Sequence, residues 1–374
     1  MEENIQDLLV IPHKHEHHSS KRRKHKHRSS KEKKKRRCWW IVLLALLLAL
    51  AVAVVMIPHL LINSNIQQAS EFEESELAVT PNLPSTKDVQ NIALFGIDQK
   101  YGSVGRSDVT MIVSIDRVNN KIKMTSIARD SLVPIAGHGE EKLTHAWAYG
   151  HAKLAVKTLN KNFGLNITDY AYINFNEFVD AIDYMGGVYV DLTEAERVHL
   201  NKSYNAWYQY YGKYIPKVED TGRVLLKGAQ ALSYSRDRTN GGDTSRTGRQ
   251  REVLMGLYER AKNQPLSRLP GTVAKMMQLC HTNLTSSELL SIATWALTSS
   301  PEFESLSLPS SELKPWRGVL NRQTGWVYVY DLDAASTIIH NFVYEEDLPV
   351  GKETTTTTTT ATAAKGTTTT AAKK

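Results

Sequence analysis

From Cys38 to Pro58 the chain reads CWWIVLLALLLALAVAVVMIP, with no charged side chain. A helix of about 20 apolar residues is what a hydrocarbon core of about 30 Å requires. The run therefore predicts a transmembrane helix, bounded here as residues 38–61. A cleaved secretory signal is the competing reading. Its apolar core spans about 7 to 15 residues, shorter than this run, which also follows a 37-residue preface.

The cluster KEKKKRR just before the run sets its orientation, because basic segments resist translocation. The N-terminus is expected in the cytosol and everything after about residue 62 outside, as a single-pass cell-membrane protein. Trp39 and Trp40 stand where an interfacial aromatic belt would place them. The net charge of +7 and a pI near 9.1 invite a nucleic-acid reading. Residues 1–37, however, hold 13 Lys/Arg and 5 Asp/Glu, a net +8, so the remainder sums to 33 − 34 = −1. The basicity belongs to a tail beside the membrane, where anionic lipid headgroups are the expected partner and nucleic acid is not. The tail's six histidines show no regular metal-ligand spacing. Cys38 and Cys280 flank the apolar run and offer no disulfide framework.

Five regions follow: a basic cytosolic tail (1–37), the membrane helix (38–61), a polar, Pro-terminated stalk (62–88), a folded domain (89–350) and a Thr/Ala-rich disordered tail (351–374). Within the domain, strands are predicted at Asn91–Ile97, Val109–Asp116, Lys121–Ile127 and Val188–Leu192. Helices are predicted at about 145–161, 175–185, 228–234, 246–263 and 285–298. The fold class is α/β, a mixed β-sheet sandwiched between helices in three αβα layers.

The turn signal DRVNNK makes the second and third strands a hairpin. If the first also pairs antiparallel with the second, three strand ends share one edge. That edge carries Asp98, Arg106, Asp108, Arg129 and Asp130. Asp98 and Asp108 suit Mg²⁺ completed by water and phosphate oxygens, or are turn-capping aspartates. Arg106 and Arg129 favour the first reading, since a guanidinium fork matches phosphate. A second cluster lies in SYSRDRTNGGDTSRTGRQREVL. Arg236 and Arg238, two apart, point the same way in extended chain. Asp243, Thr244 or Ser245 can cap a helix whose first turns present Arg246, Arg249 and Gln250 on one face. A helix N-terminus so equipped suits more than one phosphate. Arg251 falls off that stripe and receives no role.

No Walker loop, G-x-G-x-x-G, G-x-S-x-G or H-E-x-x-H occurs, which leaves phosphate transfer outside the cell. ATP is scarce there, so an activated donor would arrive as a lipid pyrophosphate. Metal-assisted transfer would rest on positioning and charge neutralisation, with Asp130 and Asp243 as candidate bases. Lys142 and His145 either reach the site or only begin a helix. The apolar faces of 145–161 and 175–185 offer a prenyl slot or ordinary core, and the aromatic run 203–214 suits sugar, lipid or packing.

The blocks NIALFGID, GRSDVTMIVSID, KMTSIARDSLV, KLTHAWAYG, LKGAQALSYSRDR and GGDTSRTGRQREVL stand in the order of the LytR-CpsA-Psr family of bacterial cell-wall ligases, which the chain resembles over about 90–263. The resemblance implies a Gram-positive cell-membrane enzyme. It would move a glycopolymer, wall teichoic acid or capsular polysaccharide, from an undecaprenyl-pyrophosphate carrier to the muramyl C6 hydroxyl of peptidoglycan. It implies Mg²⁺, with Mn²⁺ as substitute, on Asp98 and Asp108. Pyrophosphate would lie on Arg129, Arg236, Arg238, Arg246 and Gln250, supported by Arg106, Arg249 and Asp243. Ala128 departs from the proline often found there. Two alternatives remain, a membrane-anchored transcriptional or envelope regulator and a polyprenyl-pyrophosphate phosphatase.

Overall fold

The structure is a computed structural model that describes residues 72–346, except 82, 84–88, 100–103, 212–214 and 239–240, with backbone alone for 204–211. The basic tail, the apolar run at 38–61, residues 351–374 and the aromatic side chains of 204–214 lie outside the described residues. Among the described residues no helix is long and apolar enough to cross a membrane.

Three strands, β1 (Val89–Ile97), β2 (Ser107–Asp116) and β3 (Lys121–Ile127), run up, down and up, each antiparallel to the next. Asp116 closes the β2–β3 turn by accepting from the Asn119 backbone N–H at 2.9 Å, and Asn120 takes the left-handed conformation at φ 54°. Short strands β4 (Leu132–Ile135) and β5 (Gly139–Lys142) form a side hairpin, and β7 (Val188–Leu192) pairs with β8 (Gly222–Leu226) in another. The central sheet gains β6 (Asp169–Asn174), parallel to β1, β9 (His281–Thr282), and β10 (Glu302–Leu308), parallel to β3. Its order is β10-β3-β2-β1-β6-β9, a mixed sheet.

Alternation along the strands dresses both faces. Ala93, Phe95, Ile97 and Ile112 pack under α1 (Leu143–Phe163) and α8 (Leu332–Tyr344). Ile92, Leu94, Met111 and Val113 point the other way, against α5 (Gly242–Lys262) and α7 (Ser286–Ser299). The expected α/β sandwich of helix, mixed sheet and helix is therefore present. The remaining helices are α2 (Phe175–Tyr184), α3 (Glu194–Tyr211), α4 (Gly228–Arg236) and α6 (Leu269–Leu279), and an outer hairpin joins β11 (Arg317–Asn321) to β12 (Gly325–Val329).

Several local readings need correction. Part of the expected stalk belongs to the fold: Leu77 is buried in the core, Phe72 stacks on Tyr170 at 5.5 Å, and Asn160 donates to the Leu77 carbonyl at 3.0 Å. Helix α1 is broken at Gly150 and His151, which leave the helical region. Helix α5 begins about a turn before the predicted 246, with Gly241 as its N-cap at φ 137° and no side-chain cap. A left-handed start of that kind favours glycine, and it frees Asp243 from capping.

Candidate active site

The predicted strand edge forms. A register shift at Gly96/Ile97 brings Ile97 opposite Ser107, and the Asp98 N–H donates to the Arg106 carbonyl at 2.9 Å. Bulges at strand ends re-aim side chains in this way. Asp98 and Asp108 thus stand at adjacent strand ends, with Arg129 and Asp130 following β3.

Asp108 is buried and forms the hub. Arg129 Nη1 donates to its Oδ1 at 2.6 Å, Arg236 Nη2 lies 3.9 Å from its Oδ2, and Arg246 donates to its backbone carbonyl. Arg129 Nε also reaches Asp130 at 3.2 Å, whose second oxygen receives Lys142 Nζ at 2.8 Å. Burial opposes the charge of Arg129, yet Asp108 and then Asp130 outweigh it and raise its pKa above the ordinary arginine value. For Asp130, burial pushes upward, but the Lys142 hydrogen bond and Arg129 prevail and hold the carboxyl below its usual range. With both oxygens engaged, Asp130 is a weak base and a firm anchor.

The second cluster arrives from α4 and α5. Arg236 closes α4 and the chain becomes extended only at Asp237, so the extended reading of SYSRDR is corrected. The two arginines take different partners: Arg236 lies over the Phe175 ring at 4.3 Å, and Arg238 Nε lies 3.3 Å from Asp243. Arg246, Arg249 and Gln250 share one face of α5 as expected, but not one task. Arg246 enters the cleft beside Asp243 at 3.4 Å, and burial, with Arg129's charge against that of Asp108, lowers its pKa. Arg249 turns away, donating to Glu196 at 2.8 Å and the Asp237 carbonyl at 2.8 Å. It ties α5 to α3 and α4. Gln250 donates to the Ser235 carbonyl at 3.3 Å and lines the cleft.

The resulting cleft lies between Asp108, Arg129, Asp243, Arg246 and Gln250, with Thr110 and Thr247 on its wall. Arg106 is exposed just before β2, outside the cleft's lining. Lys142 reaches the site through Asp130, whereas His145 turns to Glu141 at 2.8 Å. Sequence reasoning missed Tyr328 of β12. Its N–H donates to the Asp130 carbonyl at 2.9 Å, and burial, then the charges of Asp243 and Asp130, raise the phenol's pKa. Nothing local marks this residue, because Asp130 and Tyr328 meet only in the folded chain. Arg251, given no role, is a strut: it donates to Ser307 of β10 at 2.6 Å and Ser126 of β3 at 3.4 Å.

Among the described residues no group of three or more His, Cys, Asp or Glu can hold a metal ion by itself. Asp98 and Asp108 supply two hard carboxylates. That donor set fits Mg²⁺ of the kind that takes its other ligands from water and phosphate.

A family model described as the LytR_cpsA_psr family matches residues 60–340. The chain belongs to this family. Within curated relatives, it is 34% identical over 183 residues to the polyisoprenyl-teichoic acid–peptidoglycan teichoic acid transferase TagU of Oceanobacillus iheyensis, covering 47% of this chain and 52% of that protein. It is 32% identical over 237 residues to the corresponding transferase TagT of Bacillus subtilis, covering 61% of this chain and 70% of TagT. The regulatory protein MsrR of Staphylococcus aureus is 30% identical over 260 residues, 68% of this chain and 75% of MsrR. The fold matches solved TagT bound to LIIa-WTA with TM-score 0.55 and 25% identity, over 75% of this chain and 96% of that one. TagT with bound octaprenyl pyrophosphate lipid superposes with TM-score 0.51 and 25% identity, over 75% and 96% of the two chains.

Proposed function

We propose that this protein is a membrane-anchored phosphotransferase that joins a glycopolymer from a polyprenyl-pyrophosphate carrier to the muramyl C6 hydroxyl of peptidoglycan. The observation that carries this reading is the convergence of Arg129, Arg236 and Arg246 on buried Asp108 at one sheet edge. Guanidinium groups so placed exceed what one carboxylate needs and match a diphosphate. The teichoic acid transferase activity for which the TagT and TagU relatives are named supports the same reaction. The apolar run at 38–61 would anchor the chain with its domain outside.

In this reading Arg129, Arg236, Arg238 and Arg246 bind the pyrophosphate, and Gln250 orients it. Asp98 and Asp108 would hold Mg²⁺, which when bound neutralises phosphate charge. Carrier binding draws Arg129 from Asp108 toward phosphate oxygen, freeing that carboxylate. The acceptor hydroxyl oxygen then bonds to the phosphorus bearing the glycopolymer. The bond from that phosphorus to the bridging oxygen breaks, polyprenyl phosphate leaves with that oxygen, and the hydroxyl proton passes to a carboxylate. Asp243 is the better base, since Lys142 and Arg129 engage both oxygens of Asp130 whereas Arg238 and Arg246 meet only Oδ1 of Asp243.

Full-length protein in detergent, given a lipid-pyrophosphate-linked polymer, peptidoglycan and Mg²⁺, should form polymer-bearing glycan. Asp98→Ala should abolish it. Phosphate release without coupling would establish the phosphatase instead, and no turnover with Asp98→Ala equal to wild type would refute both enzyme readings and leave the regulator.

A further inference from the structure

The β11–β12 hairpin turns one face inward and one outward. Directly paired residues of an antiparallel ladder share a face. Val319 and Val327 form the inner side, with Val327 fully buried, while Gly318, Leu320, Trp326 and Tyr328 share the outer side.

On that outer side the Trp326 indole covers Gly318. A Cβ at position 318 would stand 2.6 Å from Cζ2 and 2.9 Å from Cε2 of the ring. One indole face therefore rests on bare backbone, and Trp326 remains 42% exposed. Tyr328 stands edge-on to it at 4.4 Å and to Trp316, itself 40% exposed, at 5.5 Å. Three rings thus make a rigid apolar shelf on a surface where large exposed apolar groups mark binding sites.

The shelf adjoins the cleft. Tyr328 links the two, since its N–H donates to the Asp130 carbonyl at 2.9 Å and the Asp130 carboxylate accepts from Arg129 of the cleft wall at 3.2 Å. The phosphate-facing arginines Arg236 and Arg246 instead converge on Asp108. Whatever lies on the shelf approaches from the side of the candidate base. A pyranose ring offers one flat C–H face to an indole and hydroxyls at its rim, and an acceptor so placed would direct a hydroxyl toward Asp243. A second source of apolar contact, the membrane interface, would not explain continuity with the carboxylates of the cleft.

We propose that Trp326, Trp316 and Tyr328 form a saccharide shelf that seats the acceptor glycan strand; this rests on the ligase reading above. The test uses the full chain in detergent, titrated calorimetrically with a β-1,4-linked N-acetylglucosamine oligomer, and steady-state kinetics with peptidoglycan. Trp326→Ala and Gly318→Val, which would push the indole off the backbone, should each weaken oligomer binding and raise the acceptor KM about tenfold, a loss of roughly 1.4 kcal/mol. The carrier KM should not move, and Trp326→Tyr should recover part of the affinity. Wild-type oligomer affinity and acceptor KM in Trp326→Ala would overturn the shelf, as would a loss of binding to anionic phospholipid vesicles in place of glycan. Calorimetry needs no turnover, so Trp326-dependent glycan binding without transfer would refute the ligase and keep the shelf. Transfer with an unchanged acceptor KM in Trp326→Ala would do the reverse.

Discussion

Arg129 shows how a single side chain balances the site. It is held by two buried carboxylates, Asp108 and Asp130, so its removal strands both. Breaking such a buried pair costs about 3 kcal/mol, and on the proposed function losing one donor to phosphate costs roughly 10²-fold or more in turnover. Arg129→Ala should therefore lower both, read as a shifted urea midpoint and a fall in kcat. Arg129→Lys should recover part of the stability but little activity, because an ammonium cannot bridge two groups as a fork. Asp130 adds a pH signature. Its folded pKa lies below the unfolded value of about 3.9, so its stabilisation is present above that pH and is lost as pH falls through the folded pKa. The urea-midpoint difference between wild type and Asp130→Asn should stay constant from about pH 8 to 5 and shrink below about pH 4.

Elements decide which residues can reach the cleft. Starting α5 at Gly242 instead of 246 places Asp243 inside the first turn, where it meets Arg238 and Arg246 instead of capping. Strand β12 delivers Tyr328 to Asp130 as a bridge beside Ser131. The segment before β1 is another element whose role is structural. Glu76 pairs with Lys153 of α1 at 2.6 Å, and Thr80 donates to the Leu165 carbonyl at 2.9 Å. Leu77 fills the core beneath it, so Leu77→Ala should cost about 2–5 kcal/mol, visible as a lowered thermal midpoint. A free stalk would show no change.

Across the whole molecule, a six-stranded sheet holds the site at one end while helices on both faces bring in the remaining charges. The meander β1–β2–β3 and its shared edge were legible because period-2 alternation and a polar turn are local signals. So were the helices carrying Arg236 and Arg246, to within a turn or so. Strands β4 to β6 and β8 to β12 and helices α3, α6 and α8 escaped; in Glu194–Tyr211 and Glu302–Leu308 mixed polarity hides a periodic face. The sequence by itself determined the charge partition, the uncharged run at 38–58 and the set of acids and arginines near one edge. Those are properties of neighbours along the chain. Only the tertiary structure decided that Arg249 ties helices together, that Arg251 braces β3 and β10, and that the Tyr328 backbone bonds to Asp130. Ionic and hydrogen-bonded partners are fixed by distance in space, and residues as far apart as Asp130 and Tyr328 acquire a distance only when the sheet and its outer hairpin are packed.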